Sequence, residues 1–178
     1  METVVKKLAF LWGIGGVIVL LGFAMVRLSR YAMELELASL APGHWLALLF
    51  SVLFMAYSEG YKGFYLQFSP RVVRRASFLG SRSRPHELLL APLFCMGYFH
   101  ATRPRLIATY ALTLMIIGFV IFVPMLPQPW RGIIDVGVVV GLAMGILSIC
   151  YYVIMEWRGD SSNSVSPGFP DDSSLLSS

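Results

Sequence analysis

The chain has 178 residues, of which 57% are hydrophobic and only 13% are charged, and its mean hydropathy is +0.71. Soluble domains carry about 25% charged residues, so a soluble core does not account for this composition, whereas a lipid bilayer does. The net charge of +4 does not indicate a nucleic-acid partner, because the basic residues cluster between apolar runs, as the positive-inside rule expects of a membrane protein.

The first predicted element is a membrane span over residues 8–26, which follows the two basic residues Lys6 and Lys7. A bilayer core about 30 Å thick needs about 20 helical residues, and this run is close to that length. A secretory signal has a shorter apolar region of about 7 to 15 residues. We therefore expect a span that is retained in the protein.

The second apolar run begins at Trp45 and stays free of charge for only fourteen residues. That length is about 21 Å of helix, which is too short to cross a bilayer. To reach the other side, the helix has to include the stretch AYSEGYKGFY, residues 56–65. We therefore predict a second span over about 45–66, with Glu59 and Lys62 close to the inner edge of the hydrocarbon.

The chain between the second and third spans, residues 69–105, is predicted to lie on the inner side of the membrane. Ser69 and Pro70 have the pattern of a helix N-cap and first helical residue. The arginines that follow share one side of a helix and the aliphatic residues share the other, which predicts a short basic amphipathic helix on an anionic leaflet. The basic residues expected to contact inner-leaflet lipids are Arg71, Arg74, Arg75, Arg82, Arg84, Arg103 and Arg105.

A second short helix is predicted within this inner segment, over 88–99. The run has twelve residues, contains Pro92 and has arginines on both flanks. Runs of this length are more often interfacial, re-entrant or buried than spanning, and the flanking charges favour a return to the side that the chain left. We expect a membrane-dipping helix, with a thin fifth span as the alternative.

The last two predicted spans cover about 106–123 and 133–155 and are joined by a tight outer loop. With the amino terminus inside, ten Lys and Arg residues fall on the inner side and three on the outer side, while Lys62 lies at the edge. Both termini are therefore expected inside, in a single polytopic domain over 1–158. The tail, 159–178, is polar, acidic and rich in serine and proline, so we expect it to be disordered.

The stretch AYSEGYKGFY is also the best candidate for a functional site. At about 100° per residue, Glu59, Lys62 and Gly63 share one helix face. An ionisable residue inside a membrane is a functional hypothesis by default, so we expect a polar site at Glu59 and Lys62, with Tyr110 and His100 as further partners. The alternative is that Lys62 extends to the inner interface and offsets Glu59 locally. The opposite face is aromatic and consists of Tyr57, Tyr61, Phe64 and Phe68.

Close packing of helices is predicted at glycines. A GxxxGxxxG pattern in the last span allows another helix to approach, and a glycine beside the polar site has the same expected role. Asp135, four residues after Arg131, is expected to form a salt bridge at the membrane boundary. The packing glycines are Gly63, Gly137, Gly141 and Gly145.

Haem ligation is a weaker possibility, because it needs histidines at matching depth on facing spans. His44 is predicted at the outer end of the second span, whereas His86 and His100 are on the inner side. The chain has no metalloprotease motif, no nucleophile elbow and no phosphate-binding glycine loop. We therefore predict no catalytic residue, no metal site and no cofactor.

These patterns predict an all-α integral membrane protein with four transmembrane helices, a basic amphipathic helix and a short membrane-dipping helix. The expected function is that of a non-enzymatic accessory, assembly or scaffold subunit. The alternative is a small transporter or lipid-handling protein, and a weaker one is a haem- or quinone-binding redox subunit. The expected partners are anionic lipids and a protein partner or a second copy of the chain. A bacterial inner membrane is the expected location.

Overall fold

The structure is a computed structural model, and it describes residues 2–36, 40–82, 90–98 and 102–159. All regular structure in these residues is helical, as the composition predicts. The elements in chain order are α1 (Glu2–Met33), α2 (Pro42–Met55), a π-helical segment (Ala56–Phe68), α3 (Ser69–Arg82), α4 (Ala91–Met96), α5 (Arg103–Phe122), a 3₁₀ turn (Val123–Met125) and α6 (Trp130–Trp157).

Within the described residues, two helices are long and apolar enough to cross a membrane, Lys7–Met33 within α1 and Trp130–Trp157, which is α6. At 1.5 Å per residue, α6 is about 42 Å long, which exceeds a hydrocarbon core of about 30 Å. Both helices extend beyond the predicted spans at 8–26 and 133–155, because polar residues continue each helix into the boundary region. A shorter apolar helix covers Thr109–Met125.

The three elements α2, the π segment and α3 form one continuous helix from Pro42 to Arg82, which we call the long rod. The sequence predicted a break before Ser69 and a separate helix after it. Instead, Ser69 has α-helical backbone angles, and its N–H donates to the carbonyl of Phe64, five residues back. Pro70 lacks an N–H, and it follows directly after this wider turn. The helix therefore continues through Pro70. The N–H that proline lacks falls at the point where the hydrogen bonds change from the π pattern to the α pattern.

The long rod runs parallel to α6 along the whole length of α6. At one end, which we call the Trp130 end, the rings of His44 and Trp130 meet edge to face at 5.3 Å. At the other end, the Glu156 end, the hydroxyl of Ser77 donates to the carboxylate of Glu156 over 2.9 Å. The long rod therefore begins near the level at which α6 begins, and it is level with the last turn of α6 at Ser77.

Helix α1 packs against α6 in the opposite direction. The guanidinium of Arg131 lies 3.9 Å from the ring centroid of Tyr31, near the end of α1 and the start of α6. The first half of α1 contributes to a buried core towards the Glu156 end, where α1, α3, α4 and α6 meet. The core residues are Ala9, Phe10, Ile14, Val17, Val72, Val73, Ala76, Ala91, Cys95 and Ile149.

Helix α4 lies directly on α1 because two glycines leave room for it. A Cβ atom on Gly13 would lie 2.9 Å from the sulfur of Cys95, and a Cβ atom on Gly16 would collide with the ring of Pro92. The helix ends at Gly97, whose φ of 90° is left-handed and suits glycine. The backbone N–H groups of Gly97 and Tyr98 satisfy carbonyls of the last turn, as in a Schellman motif.

We predict that Gly16→Leu lowers the stability of the helical bundle and that Gly15→Leu does not. Both substitutions raise helix propensity equally, but only Gly16 faces α4, whereas no atom lies within 4 Å of a Cβ on Gly15. Overpacking costs about 1 to 3 kcal/mol. The measurement is the thermal midpoint of the helical circular-dichroism signal in detergent micelles. Equal midpoints for the two variants would contradict the described position of α4.

Candidate functional site

Glu59 lies beside the middle of α6. A Cβ atom on Gly141 would be 3.2 Å from the Cβ of Glu59, and one on Gly60 would be 2.7 Å from the sulfur of Met144. The sequence placed Glu59 near the inner edge of the second span because that span was expected to end before Ser69. The long rod continues past this point to the level of Glu156, so Glu59 falls near the middle of the rod.

Lys62 points away from this contact. Its side chain is exposed, and its ammonium nitrogen lies 5.3 Å from the ring centroid of Tyr57. Neither Glu59 nor Lys62 forms an ion pair with another residue in the described part of the chain. The two predicted partners thus belong to the same segment but are not brought together.

Gly63 leaves an open notch next to Glu59. A Cβ atom there would meet only the carbonyl oxygen of Ser58 at 3.4 Å and the carboxylate of Glu59 at 3.7 Å. Among the described residues, no other helix enters this notch. The close approach that the sequence assigned to Gly63 occurs at Gly60, which is buried against Met144.

The predicted glycine pattern of the last span lies at the contact between α6 and the long rod. A Cβ atom on Gly137 would collide with the hydroxyl of Ser51, and one on Gly145 would be 2.8 Å from the ring of Phe64. Together with Gly141 at Glu59, these glycines allow the two helices to approach closely over two turns of α6.

The π winding divides the predicted aromatic face into two groups. Tyr57, Tyr61 and Tyr65 stack in a row with ring centroids 6.2 and 5.7 Å apart, and the row continues to Tyr151 and Tyr152 of α6. Phe64 and Phe68 instead contact each other, and Phe64 packs against Gly145. A π-helix turns less per residue than an α-helix, so residues that a 100° wheel places together are separated.

The other two predicted partners of Glu59 are placed elsewhere or not described. Tyr110 is on α5, where its ring meets the ring of Tyr98 at 5.7 Å. His100 lies outside the described residues, as does His86. His44 packs against Trp130 at the Trp130 end.

Arg75 is buried inside the bundle, although the sequence predicted it among the lipid-contacting arginines. Its side chain is only 3% exposed. One terminal nitrogen donates to the carbonyl of Phe94 over 2.8 Å, and the guanidinium lies 5.3 Å from the centroid of the Phe94 ring. Arg75 therefore joins α3 to the last turn of α4, as a second donor to a carbonyl that also accepts from the N–H of Gly97.

Three other basic residues of the predicted inner segment have described side chains, and these are more exposed than Arg75. Arg71 donates to the backbone and side chain of Gln67, Arg74 is half-buried and Arg103 is exposed. Arg84 lies outside the described residues, and so do the side chains of Arg82 and Arg105.

A buried carboxylate marks the Trp130 end. Asp135 is 2% exposed, and one of its oxygens lies 3.8 Å from the Nε of Arg131. This is the pair expected at i, i+4, at a distance that is too long for a direct hydrogen bond.

Two buried serines form a polar contact that sequence reasoning missed. The hydroxyls of Ser69 and Ser148 are 2.7 Å apart, and Ser148 also donates to the carbonyl of Gly145. A third hydroxyl, on Ser51, donates to the carbonyl of Ile133. Single serines inside apolar runs were the available signal, because such groups hydrogen-bond across membrane helices.

Comparison of the chain with protein-family models, with curated proteins and with solved structures finds no match. The proposed function is therefore based on the positions and contacts of the residues described above.

We predict that Arg75→Met exposes Cys95 to a small thiol reagent in a Cys150→Ser background. Cys95 lies on the side of α4 that faces Gly13 of α1 and is 2% exposed, and the substitution leaves the carbonyl of Phe94 without its charged donor. A hydrogen bond to a charged group contributes about 1.5 to 3 kcal/mol, so local opening and labelling should accelerate about 10- to 100-fold.

The control for this experiment is Arg103→Met, which removes the same charge from an exposed position. Labelling is followed by mass spectrometry in detergent micelles. If both variants label at the parent rate, Arg75 does not hold α4 in place.

Proposed function

We propose that this chain is a small multi-pass membrane protein that acts as a non-enzymatic accessory or assembly subunit. The observation that carries the proposal is that α5, unlike α1 and α2, packs along no other long helix among the described residues. This helix has twenty residues, and most of its described side chains are exposed; Leu114 is 72% exposed and Ile107 is 69% exposed. An apolar helix that the described part of its own chain leaves uncovered has a surface available for helices of another membrane protein.

The attachment of α5 to the rest of the chain supports this proposal. The hydroxyl of Tyr98 lies 2.5 Å from that of Thr113, which in turn donates to the carbonyl of Thr109. These polar contacts orient one side of α5 against the turn after α4. The rest of the helix remains available to a partner.

The proposed topology has four spans with both termini on the inner side. Parallel packing of the long rod with α6 and antiparallel packing of α1 fit this threading, since the Trp130 end would be outside and the Glu156 end inside. Helix α4 fits a membrane-dipping role, because it lies against Gly13 and Gly16. These residues are about 9 to 14 Å along the apolar helix that begins at Lys7. We propose a bacterial inner membrane as the location.

The accessory role predicts protein contacts at α5 that are absent from α1. A photo-cross-linking amino acid at Leu114 should link the chain to one partner protein in native membranes. The same group at Phe23, which is 70% exposed on α1, should link mainly to lipid. Cross-linked products are separated by gel electrophoresis and identified by mass spectrometry. Lipid adducts alone at both positions would count against the accessory role.

A transport or lipid-handling function is the second candidate, and the position of Glu59 favours it. A carboxylate beside the middle of a span-length helix is expensive in lipid, and such residues commonly mark ion or substrate pathways. Lys62, on the exposed side of the same segment, would attract an anionic group.

If Glu59 serves proton movement, Glu59→Gln should abolish pH-driven proton flux into vesicles that contain the purified protein. Glu34→Gln, at an exposed position near the end of α1, provides the matched control. Flux is measured with an enclosed pH-sensitive dye. Equal flux for the two variants and for empty vesicles would eliminate this candidate.

A further inference from the structure

The π segment presents two opposite charges near the middle of the bundle without pairing them. Glu59 extends from the α6 contact toward the notch at Gly63, where its carboxylate is 3.7 Å from a Cβ position on that glycine. Lys62, next to Gly63 in the chain, is exposed and turned toward Tyr57. One short segment therefore contains a carboxylate, an ammonium group and an open position at Gly63. We call these three residues, Glu59, Lys62 and Gly63, the charged notch.

The level of the charged notch makes both charges costly in a bilayer. Gly60 and Phe64, which precede and follow Lys62, meet Met144 and Gly145, halfway along α6. A charged side chain at the centre of a membrane helix costs at least about 2.5 to 3.5 kcal/mol, and such residues generally pair or face a polar cavity. Among the described residues, the chain itself provides no ion pair for either charge.

We propose that the charged notch is an interface between two copies of this chain. In a two-fold dimer, residue i contacts residue j and residue j contacts residue i. If the axis lies along the membrane normal, equivalent residues of the two copies lie at the same depth. Glu59 of each copy then pairs with Lys62 of the other, and both pairs form in one contact.

Glycine at position 63 gives this interface its close approach. Because glycine has no side chain, the backbones of two membrane helices can come close together at this notch. Close packing strengthens helix association in a membrane, because lipid tails are as apolar as the side chains and burial alone gives no driving force. The two charges are only three residues apart along the helix, and a lysine side chain is long enough to span that separation. Charge complementarity favours a second copy over another protein, because any other partner must bring both signs at the same spacing.

The inference is independent of the accessory role, which uses α5. It is tested by exchanging the charges. The variants Glu59→Lys and Lys62→Glu each place like charges opposite each other in a homodimer. Mixed together, the two variants restore both pairs, since one copy then contributes two lysines and the other contributes two glutamates.

The measurement is energy transfer between donor- and acceptor-labelled copies in phosphatidylcholine vesicles at increasing protein density. The wild-type chain should associate. Each variant alone should associate with a dissociation constant raised about tenfold or more, and the mixture should return close to wild type. Lys7→Glu, a reversal at an exposed residue near the start of α1, should leave association unchanged.

Recovery in the mixture also excludes misfolding as the cause of the loss, because each variant must be folded to associate with the other. The helical circular-dichroism signal of each variant provides a second check. The proposal is overturned if the wild-type chain stays monomeric at all densities, if the single variants associate as strongly as wild type, or if the mixture shows no recovery.

Discussion

The close approach of α6 to the long rod is the constraint on which the rest of the structure depends. Helices in lipid gain little from burying apolar side chains, so their association depends on backbone proximity and on hydrogen bonds between them. Gly137, Gly141 and Gly145 on α6 and Gly60 on the rod provide that proximity. The contact sets the level of the rod, and the level of the rod places Glu59 near the middle of the bundle.

Polar side chains then join the helices at defined points along this contact. Ser51 bonds to α6 near the Trp130 end, Ser69 meets Ser148 further along, and Ser77 reaches Glu156 at the other end. Arg75 does the same for α4 by donating to Phe94. A buried polar group is costly unless it is hydrogen-bonded, so the buried Ser69–Ser148 contact and the part-buried bond of Ser51 also disfavour a shifted register of the long rod and α6.

The two surfaces proposed for contacts with other chains differ in chemistry. Helix α5 is apolar and largely uncovered, which suits a protein whose role is contact with other membrane proteins. The charged notch has both signs of charge and a gap in one small patch, which suits self-association. The π winding is important for the second surface, because it separates Lys62 from the α6 contact while keeping Glu59 against Gly141. Wide helical turns of this kind are frequent at functional sites.

The sequence alone determined that the chain is helical and membrane-compatible, because long apolar runs need only their own length and composition to form α1 and α6. It also placed the glycines of α6 on one face, since a four-residue spacing repeats almost once per helical turn. Tertiary structure decided the rest. Whether the chain breaks at Pro70 depends on the π turn before it, and the burial of Arg75 depends on where α4 lies. The depth of Glu59 depends on the register of two long helices. The burial of Arg75 and the depth of Glu59 are set by contacts between residues far apart in the chain, which local periodicity does not specify.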